Sequence, residues 1–446
     1  MVKAQSCRIT RWHFVLPLCL VISLSACTLI PLTPLATSTD IAPVTLRVYT
    51  FRQPLINQVL NIVTKAYKVK HPEVTVHIEQ ATDDPATQLA AMTATQSLPD
   101  IIWTIDALTP SLADAGLLLD LREIANLDPN FKLDNINPSA LAQGNVANQP
   151  GLYMIPVVMD NVEMFYNVNL FKDSGVPLPG ANWTWDDLIA ACQSIQNAHP
   201  DVKCIDYSFF GTLDAGWWGY LVPWIKGYGG DVLTSDGLRS TLSSNKSLAG
   251  IQAYVNLWTD QQIAEPLGQD VGRSTCFVDG KCAVSFSVAS GIGYMQQRIG
   301  KQFVWDVQRM PAHPDGRYTG TLTYGYGIGK DTQHRDLAWD FVKMLVDPSV
   351  QSTIARNHAG LPVLKSVLNN PAIMGGGPPA NMQVFYQSSD MLIYPPAYPT
   401  RCGNLYSGMV QSVIENAVQQ AIGGADVVDT FTQADLKIQT CLDSSQ

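Results

Sequence analysis

Val44-Thr45-Leu46-Arg47-Val48-Tyr49-Thr50-Phe51 puts Val44, Leu46 and Val48 on one side of an extended chain, the alternation of a strand with one buried face. Working outward, Leu55 to Tyr67 places apolar residues at 55, 59, 62, 63 and 66, which is helical spacing. His71-Pro72 stops that helix, because proline cannot donate to the helical ladder. Val74, Val76 and Ile78 alternate as a second strand, and a helix over 86–96 and an apolar strand over 100–105 follow. Strands that alternate with helices in so short a span form βαβ units on a parallel sheet, so the fold class is α/β.

The pattern continues downstream. Thr184 ahead of Trp185-Asp186-Asp187 reads as a helix N-cap with an acid at the third helical position. The helix it opens, 185–197, carries Cys192, and a short strand over 203–208 returns Cys204 beside it. Helices are also expected over 246–260, 335–347 and 407–421.

The N-terminus is a separate element. Lys3, Arg8 and Arg11 precede an apolar run from Phe14 to Ile22 and then Leu24-Ser25-Ala26-Cys27, the layout of an export signal. The run is shorter than the ~20 residues needed to span a bilayer, and no such run follows residue 27. Leu-Ser-Ala-Cys resembles the bacterial lipobox, which makes residues 1–26 a signal peptide and Cys27 the lipidated first residue. Residues 27–43, rich in Pro and Thr, then form a tether to the membrane surface.

Removing Lys3, Arg8 and Arg11 takes the net charge from −10 to −13, and with no basic cluster a nucleic-acid partner is excluded. The full sequence is 46% hydrophobic and 15% charged, the composition of a folded protein, and the part after residue 27 is long enough for two domains. Six cysteines remain after residue 27, at 192, 204, 276, 282, 402 and 441, an even count that suggests disulfides in an exported chain. They allow 15 pairings, of which proximity favours Cys192–Cys204, Cys276–Cys282 and Cys402–Cys441. No Cys-x-x-Cys or His-x-x-x-His spacing accompanies them, so no metal is expected.

Four segments carry a resemblance. They are Leu98-Pro99-Asp100-Ile101-Ile102-Trp103-Thr104-Ile105-Asp106 with Ala115-Gly116-Leu117-Leu118-Leu119-Asp120-Leu121; Gly151 to Pro156 through Phe165-Tyr166-Asn167 and Leu170-Phe171; Phe277-x-x-Gly280-Lys281-x-Ala283; and Ala338-Trp339-Asp340-Phe341-Val342 through Gly360-Leu361-Pro362. In this order they resemble the extracellular solute-binding proteins of ABC importers, in the sugar-binding group that includes maltose-binding protein. The match covers residues 44 to about 365 and is looser beyond. It implies a two-lobed periplasmic-binding-protein fold, with the ligand cleft between lobes joined by a hinge that the chain crosses three times. The implied lobes are 44–157 plus 308–362 and 158–307 plus 363–446. It also implies a monomer that needs no cofactor, hands its solute to permease subunits and does no chemistry.

A sugar demands planar acceptors, donors, and flat apolar rings for its C–H faces. The resemblance places a sugar-binding carboxylate at Asp106 and a ligand-facing acid at Asp160, and Asn161 is added as its neighbour. Trp103 lies on the strand that ends at Asp106, where it serves either the site or the core. Gly216-Trp217-Trp218-Gly219-Tyr220 with Trp224 is the densest aromatic cluster in the chain. One of Trp217 and Trp218 is expected on the ligand, with Trp224 either beside it or in the core. Tyr324 and Tyr326 alternate in Tyr-Gly-Tyr-Gly and so share a strand face. Tyr49 and Phe51 end the first strand within reach of the cleft, and Arg401 is added from a Tyr- and Pro-rich stretch.

Two departures leave a maltodextrin unsupported: Ala107 stands where that group has Arg, and Ala289-Ser290-Gly291-Ile292-Gly293 lacks its ligand-facing tryptophan. A different mono- or oligosaccharide fits better. The competing readings are an importer receptor for a glycerophosphodiester, polyamine or anion, and a secreted glycoside hydrolase using Asp106 and Asp160 as a carboxylate pair. An anion would call for several arginines, and only Arg52, Arg273 and Arg401 are candidates.

Overall fold

The computed structural model of the chain describes residues 44–444 apart from 52–53, 82–84, 147–149, 207–215, 267–274, 369, 371–376, 389–390, 394–401 and 403–408. Cys27 and Arg401 fall outside the described residues. Among the described residues ten strands make one mixed sheet: β1 Val44–Thr50, β2 Val74–Gln80, β3 Ile101–Ile105, β4 Ile155–Asn167, β5 Lys203–Ile205, β6 Cys282–Val288, β7 Trp305–Gln308, β8 Thr319–Ile328, β9 Leu361–Pro362 and β10 Leu392–Ile393. The main path runs β2-β1-β3-β8-β4-β6-β5, with β7 and β9 on β4 and β10 on β8.

The βαβαβ reading of residues 44–105 holds. β1 pairs in parallel with both β2 and β3, joined by helices Pro54–Lys70 and Pro85–Ala94. The first helix buries Leu60, Val63 and Tyr67 along one stripe, and Tyr67 Oη donates to the Leu337 carbonyl at 2.9 Å. Lys68 and Lys70 sit in its last turn, where cations complement the helix dipole. The sheet is not parallel throughout: β8 inserts antiparallel between β3 and β4. An antiparallel strand in that place comes from sequence two hundred residues away, which local periodicity cannot register.

β4 is 13 residues long and buried throughout, covered on both faces. Its partners change midway. From Ile155 to Asn161 it pairs with β8 and β9, and from Val162 to Asn167 with β6 and β7. One apolar core gathers on β1, β3 and helices Arg335–Leu345 and Pro348–Arg356, and runs on to Phe165, Trp305 and Phe385. The other gathers Val284 and Phe286 with helices Trp185–Ala198, Gly216–Gly227, Asn245–Val255, Met409–Ile422 and Val427–Asp443.

Thr184 caps its helix in a reciprocal capping box with Asp187. The disulfides are Cys192–Cys204, Cys276–Cys282 and Cys402–Cys441, the three expected pairs. The Gly-flanked tryptophan segment, not assigned to a helix from sequence, begins the helix Gly216–Gly227, which tolerates Pro223 in its interior. Among the described residues no helix is long and apolar enough to cross a membrane.

Candidate site at the junction of the two cores

The antiparallel register of β3 and β8 sets Trp103 opposite Tyr326 and Ile105 opposite Tyr324. Trp103 stacks on Phe51 with centroids 5.2 Å apart and on Tyr324 at 6.3 Å. Phe51 and Tyr324 are half-buried and Trp103 is 5% exposed, so the three rings form a file whose outer members meet solvent. Tyr324 and Ala107 each pack against both apolar cores, which puts this file at their junction. A pocket beside it is lined by Ile56, Trp103, Val158, Tyr324 and Ala359, and is almost wholly apolar. Trp103 Nε1 lacks a hydrogen-bond acceptor among the described residues, so its indole donor is unspent.

Asp106 follows β3 directly and is buried. Its Oδ1 accepts from the Ala107 N–H at 2.7 Å and its Oδ2 from the Thr323 N–H at 2.8 Å. Burial pushes its carboxyl up to about 7, against the opposing pull of those two N–H groups. Near neutrality the group is therefore divided between an acceptor-only carboxylate and an acid able to donate. Asp160 stands opposite Leu322 on β4, and its Oδ1 accepts from the Ser290 N–H at 3.0 Å. Asp106 bonds to Thr323, the next residue along β8, so this one strand separates the two acids and their backbones lie about 10 Å apart, two strand spacings. The turn that Asp160 holds, Ala289–Gly291, is the stretch in which the tryptophan of the maltose-binding group is missing.

The other expected residues lie as follows. Tyr49 is buried with its hydroxyl donating to Gln88 Oε1, and Tyr326 is buried with its hydroxyl against Thr50 Oγ1, each at 2.9 Å. Burial drives the Tyr326 phenol well up, so it stays neutral. Trp224 packs inside the second core, 4.4 Å from the Trp185 ring and 4.7 Å from His313. Asn161 is 1% exposed; its amide donates to the Phe385 carbonyl at 2.7 Å and its Oδ1 accepts from Thr321 Oγ1 at 3.0 Å. Trp217 and Trp218 belong to the first turn of the helix Gly216–Gly227, and their side chains lie outside the described residues. The structure thus brings together Phe51, Trp103, Tyr324 and Asp106, sets Asp160 across β8 from them, and keeps Trp224 apart.

Sequence reasoning missed several polar residues. Thr323 beside Asp106 is buried, as are Thr321 and Thr319. The signal was present, since Thr-x-Thr-x-Thr over 319–323 places three hydroxyls on one strand face. Glu163 on β4 is fully buried, and burial pushes its carboxyl up to about 8. Glu265, Cys276 and Cys282 bring metal-type donors together, but both sulfurs are joined to each other and offer no thiolate.

Several known proteins are similar to this chain. Provisionally named binding proteins of Brucella abortus and Brucella suis are 24% identical over 316 residues, covering 68% of this chain and 72% of theirs. Among solved structures, the ABC substrate-binding protein of Listeria monocytogenes in complex with cycloalternan superposes with a TM-score of 0.76 at 20% identity, over 90% of this chain and 99% of that one. The acarbose-binding receptor of Streptomyces glaucescens gives 0.73 at 19% identity over 89% and 98%, and the sugar-binding protein MalE of Xanthomonas citri 0.76 at 16% over 90% and 98%. These likenesses establish the two-lobed α/β fold of the periplasmic solute-binding proteins. The model of the bacterial extracellular solute-binding proteins matches residues 50–352, and the chain belongs to that family.

Proposed function

We propose that this protein is the lipid-anchored receptor of an ABC importer, capturing a mono- or oligosaccharide outside the cytoplasm and delivering it to a membrane permease. The observation that carries the carbohydrate assignment is the Phe51–Trp103–Tyr324 file at the junction of the two cores, with Asp106 one strand rung away. Flat rings cover the C–H faces of a sugar, while a buried carboxyl and an unspent indole donor serve its hydroxyls. A site of paired polar groups rejects analogues that leave one of them unpaired. The solved relatives with cycloalternan and acarbose add support. Anchoring rests on Leu24-Ser25-Ala26-Cys27, with Cys27 carrying the lipid.

The role is binding, not turnover. A hydrolase needs two carboxyls of divided pKa on either side of one bond. Here Asp106 is capped by its own turn and Thr323, while Asp160 is committed to the Ser290 turn.

The test is thermal unfolding of the purified protein against a panel running from monosaccharides to hexasaccharides. A solute that binds only the folded state at a hundredfold excess over Kd stabilises it by about 2.7 kcal/mol. Trp103→Ala is expected to erase the response. The carbohydrate assignment fails if no saccharide raises the melting temperature while a glycerophosphodiester, polyamine or anion does.

A further inference from the structure

The place where β4 changes partners is the natural flexing point of the sheet. Its Ile155–Asn161 half is laced to β8 and β9, and its Val162–Asn167 half to β6 and β7, so the handover falls between Asn161 and Val162. Two other chain segments pass the same point. β8 begins there, with Thr321 opposite Asn161 and the Thr319 hydroxyl donating to the Val162 carbonyl. The segment 383–393 passes there too: helix Gln383–Gln387 rests on β4, and β10 pairs with the first residues of β8.

Asn161 ties all three segments together. Its Nδ2 donates to the Phe385 carbonyl at 2.7 Å, and its Oδ1 accepts from Thr321 Oγ1 at 3.0 Å. The same Thr321 hydroxyl lies 3.2 Å from the Asp160 carbonyl. Asn161 is 1% exposed and Thr321 fully buried, so each bond is made away from water, where a lost partner is costly. The next large residue on this face of β4 meets the same segment: Phe165 meets Phe385 edge-on at 6.1 Å. Thr321 is the ladder partner of Asn161 and orients its amide, whereas Asn381, ahead of Phe385, is bonded to Asp306 and Val307 of β7, so the Asn161–Phe385 bond crosses the handover and its geometry differs between arrangements of the sheet halves.

We propose that Asn161, with Thr321 and the Phe385 carbonyl, is the pin of the hinge, a positioning residue that sets the balance between open and closed lobes. This rests on the two-lobed solute-binding fold and is independent of what the solute is. Asn161 thereby acts on the site through the backbone it holds.

The test needs no solute. Spin labels are placed at Leu127 and Leu238, both exposed at 74% and 49%, through non-natural amino acids that leave the disulfides intact. Pulsed electron resonance then reads the distance distribution in the unmutated protein, in Asn161→Ala and in the near-isosteric Thr321→Val. Both variants are expected to change the ratio of the distance populations by about fivefold, the effect of one buried hydrogen bond made differently in two states. A distribution identical to that of the unmutated protein in both variants, with only a lower melting temperature, overturns the proposal, since Asn161 would then merely hold the fold. Should Asn161→Ala not accumulate, Thr321→Val decides alone. Failure of the saccharide panel leaves this measurement untouched, so the two readings stand or fall separately.

Discussion

Replacing Glu163 with glutamine should flatten the pH dependence of stability. Glu163 is fully buried in β4, with Oε2 accepting from the Met310 N–H at 2.9 Å. Burial raises its carboxyl from 4.5 to about 8, outweighing the Ser388 hydroxyl, the Met310 N–H and the cations of Arg317 and Arg309, all of which pull it down. The folded state therefore keeps a proton that the unfolded state has released between those two values. Stability falls as pH rises across that window and levels off above it, since the slope follows the protons bound by the unfolded state less those bound by the folded one. Each pH unit well inside the window costs about 1.4 kcal/mol, so from about pH 5 to about pH 8, with partial titration at both ends, the group accounts for between roughly 3 and 4 kcal/mol. Glutamine keeps an acceptor for the Met310 N–H without titrating. Urea unfolding at the two pH values should show Glu163→Gln losing most of that difference. Asp106, raised from 3.8 to about 7, leaves a residual slope of the same sign. If Glu163→Gln and the unmutated protein lose stability in parallel over this range, the carboxyl is not held protonated and the reasoning fails.

Two further outcomes follow from the packing. At Gly320 a Cβ would lie 2.4 Å from the Gly219 Cα, backbone against backbone, so Gly320→Ala should destabilise by about 2 kcal/mol in thermal melts. Removing Cys402–Cys441, which spans 39 residues, should cost more than removing Cys276–Cys282, which spans 6, by about 1.5 kcal/mol of loop entropy in urea titrations.

What was legible locally came through. The period-2 run of β1, the helix stripe ending at His71-Pro72 and the Thr184 cap were each set by contacts within a few residues, so the sequence displayed them. Proximity chose the right cysteine pairs because short separations leave little freedom for others. The antiparallel insertion of β8 and the length of β4 did not show. A strand buried on both faces has no alternation, and the polar residues Asp160, Asn161 and Glu163 interrupt its apolar run. The tryptophan segment at 216–220 was not recognised as a helix because its aromatic residues are consecutive and form no stripe, and glycines flank it.

At the site, residue type carried the reading only so far. That a sugar site would draw on carboxylates and flat rings could be argued from Asp106, Asp160 and the tryptophans as letters. Which of them meet was decided by register: the pairing of β3 with β8 put Trp103 beside Tyr324, and side-chain packing sent Trp224 into the second core. The sequence by itself determined the α/β class, the family and the disulfides, because those depend on neighbours along the chain. Only the tertiary structure made Asp106 and Glu163 half-neutral or neutral acids and turned Asn161 into a link between three segments. A carboxyl's proton and an amide's partners are set by what surrounds them in space, and residues hundreds of positions apart supply those surroundings.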